Sequence, residues 1–228
     1  MKRFLIALLL VILVIPCVFA EEASKSEINW EIIDSVGING ALDHISMRGK
    51  FSTSDVVTNK MTGFGVGLLV EADLSEIPNF MKPGWYAYFD LGFSFSKKIM
   101  FVDNEYTNET VDSILGIKSH LCVMKALDLK LPFEVRVGGG FAFNRISATS
   151  DTNLRMNARA FGIAVVGEGL LKIGDHFGIS LVANADMSLA TKIYSREKSG
   201  SGLVTIQKRS SFGLGLDVAV RLGAKYII

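Results

Sequence analysis

Ser211-Phe212-Gly213-Leu214-Gly215-Leu216-Asp217-Val218-Ala219-Val220-Arg221-Leu222-Gly223-Ala224-Lys225-Tyr226-Ile227-Ile228 is the stretch that decides the fold. Phe212, Leu214, Leu216, Val218, Val220, Leu222, Ala224, Tyr226 and Ile228 fall on one parity. Ser211, Gly213, Gly215, Asp217, Ala219, Arg221, Gly223 and Lys225 fall on the other. Successive side chains of a strand point to opposite faces, so this segment has one apolar face and one small or charged face. It is also far longer than the usual strand of a soluble sheet.

The same alternation recurs upstream. Thr62, Phe64, Val66, Leu68, Val70, Ala72 and Leu74 oppose Gly63, Gly65, Gly67, Leu69, Glu71 and Asp73. Trp85, Ala87, Phe89, Leu91, Phe93 and Phe95 oppose Tyr86, Tyr88, Asp90, Gly92, Ser94 and Ser96. Further copies run through Phe133–Asn144 and Phe177–Leu189, with weaker ones over 32–44, 111–123 and 158–173, which predicts eight strands. Between them, 45–60, 97–110, 147–157 and 191–209 read as long polar loops, whereas Ile173-Gly174-Asp175-His176-Phe177 reads as a tight turn. Long connections at one end and short ones at the other predict an all-β, antiparallel, up-and-down barrel in a single domain over 21–228.

Alternation alone leaves open whether the apolar face packs inside a soluble sandwich or meets lipid. The second face of a sandwich is wetted and carries Lys, Thr and Glu freely. Here it is mostly Gly, Ala and Ser with scattered charges, which suits the concave interior of a narrow closed barrel. The aromatics sort in the same sense. Trp85, Phe133, Phe177 and Tyr226 lie on the apolar parity at the turn end, and Phe64, Phe95, Phe143, Phe161 and Phe212 at the loop end. Two aromatic girdles around a band of Leu, Val, Ile and Ala match the two interfaces of a bilayer.

The first twenty residues read as an address. Lys2 and Arg3 precede an apolar run from Phe4 to Ile15, then Pro16 and Val18-Phe19-Ala20, the build of a secretory signal peptide cleaved before Glu21. A rival, in which Cys17 becomes a lipidated terminus, is poorly served by the preceding Pro16. Removing Lys2 and Arg3 from the 24 basic residues leaves a nearly neutral chain against 23 acidic ones, with no global attraction to nucleic acid. Cys122 is then the lone thiol and reads as a small buried filler.

The export signal, the eight long alternating strands, the alternating loop lengths and the apolar final strand together resemble the small eight-stranded bacterial outer-membrane barrels, the OmpA-type transmembrane domain and the OmpW-like proteins among them. The resemblance is one of pattern over 28–228. It implies the bacterial outer membrane as location, membrane lipid as partner and delivery by the barrel-insertion machinery, which reads the last strand. In those families that strand usually ends in Phe; here the aromatic, Tyr226, stands two places early. A monomer is expected.

On the small-residue parity the ionisable side chains Glu71, Asp73, Glu134, Arg136, Glu168, Lys172, Arg221 and Lys225 gather toward the turn end, with Asp90, Lys118 and His120 also inward. Buried charges persist only when partnered, which predicts a mutually paired network across the lumen. It reads either as a plug or as a gate lining a narrow passage. Lys60, Lys97, Arg145, Arg159 and Lys208 fall on the apolar parity at the loop ends, where long basic side chains reach lipid headgroups or simply face water.

No chemistry is legible. Ser119 and His120 are adjacent and so project to opposite faces, no cluster has metal-ligand spacing, and no helix follows Gly138-Gly139-Gly140 to make a phosphate loop. No cofactor and no enzymatic activity are expected. The expected function is a narrow conduit or binder for small, apolar solutes, which is what the OmpW-like resemblance implies, with Tyr86, Tyr88, Lys118 and the inner charged cluster in its lining; the alternative is a surface module whose loops bind a partner while the barrel supports them.

Overall fold

The computed structural model describes residues 32–50, 56–77, 80–150, 154–199 and 202–228, with side chains throughout except at 50, 56, 197–199 and 202–214. The expected signal peptide lies outside the described residues. Ten strands run in chain order: β1 (Ile33–Lys50), β2 (Val56–Asp73), β3 (Trp85–Phe95), β4 (Lys98–Phe101), β5 (Asn104–Thr107), β6 (Ser113–Leu127), β7 (Glu134–Thr149), β8 (Leu154–Ile173), β9 (Phe177–Ser199) and β10 (Gly202–Ile227). All described pairings are antiparallel, and β1, β2, β3, β6, β7, β8, β9 and β10 form a ring. β1 closes it against β10, from Ser35 opposite Ile227 to His44 opposite Val218. Closure leaves none of these eight strands as an edge, which such long apolar hairpins require.

The outer belt is apolar and exposed: Phe64 is 75% exposed, Phe141 72%, Val165 65% and Leu222 62%. Leaving one such side chain in water instead of burying it costs about 1.5–3 kcal/mol. A belt of them encircling the barrel far exceeds the apolar patch a soluble monomer tolerates. On β8 the belt runs from Phe161 to Ile173, about 40 Å along the strand and about 30 Å along the axis at a tilt of about 40°, enough to cross a hydrocarbon core.

The stretches expected as long polar loops are largely strand. β1 continues to Lys50 and β2 starts at Val56; β7 reaches Thr149 and β8 starts at Leu154; β9 reaches Ser199 and β10 starts at Gly202. Residues 97–110 hold the β4–β5 hairpin, in which β4 takes over from β3 beside β2, with Met61 opposite Ile99. The reason is an inversion of the alternation. Below His44 and Thr62 the apolar residues point out. Above them Ile45, Met47, Val57, Met61, Ile146, Met156, Ala158 and Ile193 point in and are buried, joined by Ile99 and Phe101 of the hairpin. Arg48, Lys60, Arg155, Lys192 and Arg196 point out there and are exposed. A wall that is apolar outside below and polar outside above changes solvent at that level.

The hairpin turns through Val102 and Asp103, both at positive φ (50° and 62°), as a two-residue turn matched to strand twist requires. Valine resists that region. It is held there because its N–H donates to Asn59 Oδ1 at 2.9 Å and its side chain packs on the upper core.

Candidate functional site: the filled lumen

Among the described residues, two layers of polar side chains occupy the barrel interior, with one apolar cluster (Leu69, Tyr88, Cys122, Met124, Ala142, Ala164, Val166 and Val182) packed among the polar residues and a second apolar layer above. The lowest is built on Glu71 of β2. Its Oε2 accepts from Arg136 Nη1 at 2.7 Å, Lys225 Nζ at 2.6 Å and Ser35 Oγ at 2.7 Å. Lys225 also pairs with Glu168. Arg136 crosses from β7, donates through Nε to Glu134 at 2.6 Å, approaches Asp34 at 3.3 Å and stacks 3.7 Å over the ring of Tyr86. Lys172 meets Glu134 at 3.3 Å with half its side chain in solvent, so these two form the rim of the layer.

The middle layer centres on His120, whose Nδ1 lies 2.7 Å from Asp90 and whose Nε2 lies 2.9 Å from Asp186 across the lumen. Asp90 also accepts from Tyr88 at 2.7 Å and is paired by Arg221 at 2.7 Å, and Arg221 reaches toward Asp43 at 3.7 Å. Asp186 is shared by Lys118 at 3.2 Å, Asn144 at 3.2 Å and Asn184 at 3.0 Å. Asp186 and Asp217 stand directly opposite on β9 and β10, a repulsive placement that Asn144 bridges by donating to both. Ser188 and the Ser46 amide complete Asp217, and Ser94 donates to Asp43.

Among the described residues six carboxylates (Asp43, Glu71, Asp90, Glu168, Asp186, Asp217) and the cations Lys118, Arg136, Arg221 and Lys225 are at most 2% exposed, with His120 between them. At that burial an ionised group persists only because its partners replace the water it has lost. Above lies the apolar layer of the inverted region, closed by the β4–β5 hairpin.

Of the residues singled out by sequence, Glu71, Glu134, Arg136, Glu168, Lys172 and Lys225 meet in the lowest layer, and Asp90, Lys118, His120 and Arg221 in the middle one. Arg221 therefore sits deeper than its expected place at the turn end. Asp73 is corrected. It is outside both layers, because β2 ends there and its carboxylate accepts instead from the Ser75 amide at 2.8 Å and hydroxyl at 2.7 Å, which caps the turn Leu74–Glu76. Asp43, Asn144, Asn184, Asp186 and Asp217 were missed, although each lies on the small-residue parity that marks the inner face.

Lys60, Arg145 and Arg159 lie on the outer face above the belt, and Lys97 is exposed in the bend between β3 and β4. The side chain of Lys208 is outside the described residues. Ser119 and His120 do project to opposite faces, and the His120 pairings with Asp90 and Asp186 are enclosed. That arrangement holds charge.

The sequence matches no family model and no curated protein. The fold does match solved structures. A major outer membrane protein from Thermus thermophilus superposes with a TM-score of 0.53 at 15% identity, covering 84% of this chain and 99% of that one. OprG from Pseudomonas aeruginosa superposes with a TM-score of 0.51 at 12% identity, covering 86% and 96%. The chain therefore has the fold of the small outer-membrane β-barrels.

Proposed function

We propose that this chain resides in a bacterial outer membrane, with the β4–β5 end outside the cell and the short turns in the periplasm. There it serves as a surface-exposed binding module on a plugged barrel. The filled lumen carries this reading. A conduit needs a wetted path, but here one would have to part several buried ion pairs, each worth about 3–5 kcal/mol when one partner is lost, against a thermal energy of about 0.6 kcal/mol. The extension above the belt supports the same reading, since a wall with its own apolar core and polar exterior is a platform suited to water. Assembly would fall to the barrel-insertion machinery, acting on β10.

Planar-bilayer recording of the refolded protein is the test. The expected result is no discrete conductance step at voltages the bilayer tolerates. Steps of uniform size in the wild-type protein would replace the module with a conduit.

A second reading, a binder of small apolar molecules, is favoured by one observation. The lipid-facing wall between β10, β1 and β2 has a recess lined by Ile38, Gly40, Val66, Leu68 and Leu222. A Cβ on Gly40 would meet nothing nearer than the Leu222 carbonyl oxygen at 3.9 Å, so Gly40→Leu enters the recess with its Cβ in ordinary contact. If that substitution abolishes saturable binding of an apolar fluorophore, the binder reading stands. Unchanged partitioning removes it.

A further inference from the structure

The outer face of β7, β8 and β9 carries an arrangement that side-chain alternation in the sequence hides. Arg145 stands directly opposite Arg159, and Arg159 directly opposite Lys192, so three cations form a row across adjacent strands. Farther up the same wall, Arg155 stands opposite Arg196. Lys192 and Arg196 reach this face because the β8–β9 register shifts between Ser188 and Ala190, opposite Gly162 and Phe161, with Leu189 as the extra residue of β9. Ser188 is the last buried even-numbered residue of β9, and Thr191, Ile193 and Ser195 are buried beyond it.

Like charges directly opposed across strands destabilise a sheet. None of the five is in an ion pair among the described residues. Arg145 and Arg159 are instead oriented by neutral groups: Arg145 Nη2 donates to Asn157 Oδ1 at 2.7 Å, and Arg159 Nη2 to the Tyr194 hydroxyl at 2.8 Å. Arg196 lies 5.0 Å from the Tyr194 ring centre. The Nε atoms of both Arg145 and Arg159 are buried and have no acceptor. Guanidinium groups oriented by neutral partners keep their charge uncompensated, and their planar shape suits an oxyanion better than an ammonium does.

Directly below this row Phe143 and Phe161 meet at 5.0 Å between ring centres, at the upper edge of the apolar belt. An anion bound by the row would therefore have hydrocarbon immediately beneath it. From this juxtaposition we infer that the β7–β9 face above the belt is a binding site for a lipid with a multiply charged phosphate headgroup, its phosphates on Arg145, Arg159 and Lys192 and its acyl chains along Phe143, Phe161 and the belt below. A singly charged phosphodiester leaves most of the row uncompensated. Arg155 and Arg196, about 13 Å farther along β8 and β9, extend the site to a second anionic group of the same headgroup.

The site rests on the belt being solvated by lipid, as proposed above. The experiment is native mass spectrometry of the barrel refolded in neutral detergent and titrated with bisphosphorylated lipid A, phosphatidylethanolamine or inorganic phosphate. Lipid A is retained by the wild type, phosphatidylethanolamine at least about tenfold less, and inorganic phosphate in millimolar excess displaces the lipid only in part. The triple variant Arg145→Gln/Arg159→Gln/Lys192→Gln retains lipid A at least about tenfold more weakly, since one charge-assisted contact alone is worth about that factor. It keeps its heat-modifiable migration on gels, because relieving like-charge repulsion does not unfold it. Arg145→Lys/Arg159→Lys, which keeps the charge and removes the forks, gives a smaller loss.

Lys60→Gln/Lys97→Gln removes charge elsewhere and leaves retention unchanged; an equal loss there would reduce the site to net charge and overturn it. Equal retention by the triple variant, or full displacement by inorganic phosphate, would also overturn it. A barrel that needs detergent yet retains no lipid A sinks this site alone. A barrel soluble without any amphiphile sinks the membrane reading beneath it.

Discussion

Arg221→Met is expected to lower the unfolding free energy by about 3–5 kcal/mol, because it strands buried carboxylates. The guanidinium pairs with Asp90 at 2.7 Å and reaches Asp43 at 3.7 Å, with no solvent exposure of any of the three side chains. It fits because Gly92 of β3 leaves it room: a Cβ there would lie 2.8 Å from Nη2. Methionine keeps much of the volume and removes the charge, so the effect measured is that of an uncompensated buried anion more than of a cavity. Guanidinium unfolding in detergent micelles, followed by Trp fluorescence, gives the number. A change below about 1 kcal/mol, the size of an exposed pair, would mean that water reaches Asp43 and Asp90 and that the lumen is not filled.

Gly140→Val is expected to abolish folding altogether. Gly140 faces inward on β7 opposite Cys122 of β6, where the wall bends so sharply that a Cβ would overlap the Leu121 carbonyl oxygen and come within 2.6 Å of the Cys122 Cα. Overpacking usually costs about 1–3 kcal/mol because side chains give way, but here the obstacle is the neighbouring backbone, which yields only if β6 and β7 separate. Gly138, with the Val123 carbonyl oxygen and the Met124 Cα in the same positions, repeats the constraint one step along the strand. Glycine kinks of this kind let a narrow sheet close. The control is Gly167→Val on β8, where a Cβ meets nothing within 4 Å, and it should fold as the wild type does. Refolding into detergent, scored as the fast-migrating band on unheated gels, separates the two. A normal band for Gly140→Val would contradict the approach of β6 to β7.

The barrel was legible because two solvents impose one period. Wherever lipid lies outside and a narrow lumen inside, strands such as Thr62–Asp73 and Leu216–Ile227 write the boundary into every second residue. Above the belt the same strands continue, but the code reverses: Ile45, Met47 and Ile146 turn inward, so a search for outward apolar residues reads Ile45 to Lys60 as loop. The inner face was equally legible, yet the middle layer was not. Asp43, Asp186 and Asp217 sit on the right parity on three separate strands, and only ring closure brings them to one level. The row of Arg145, Arg159 and Lys192 depends on a register shift between Ser188 and Ala190 that turns even-numbered residues of β9 from inside to outside. Bulges obey local backbone geometry, which a period of two does not encode.

The reversal at the upper edge of the belt is the feature on which the membrane assignment turns, and β2 crosses it. Single spin labels in a Cys122→Ser background, with the protein in liposomes, would be placed at Leu68, Val66, Met61, Lys60, Thr58 and Val57 and read for collision with oxygen and with a water-soluble nickel chelate. Labels at Leu68 and Val66 should collide with oxygen and not with nickel, those at Lys60 and Thr58 with nickel, and those at Met61 and Val57 with neither. Nickel collisions at Leu68 and Val66 equal to those at Lys60 would place the belt in water and contradict the membrane-spanning barrel.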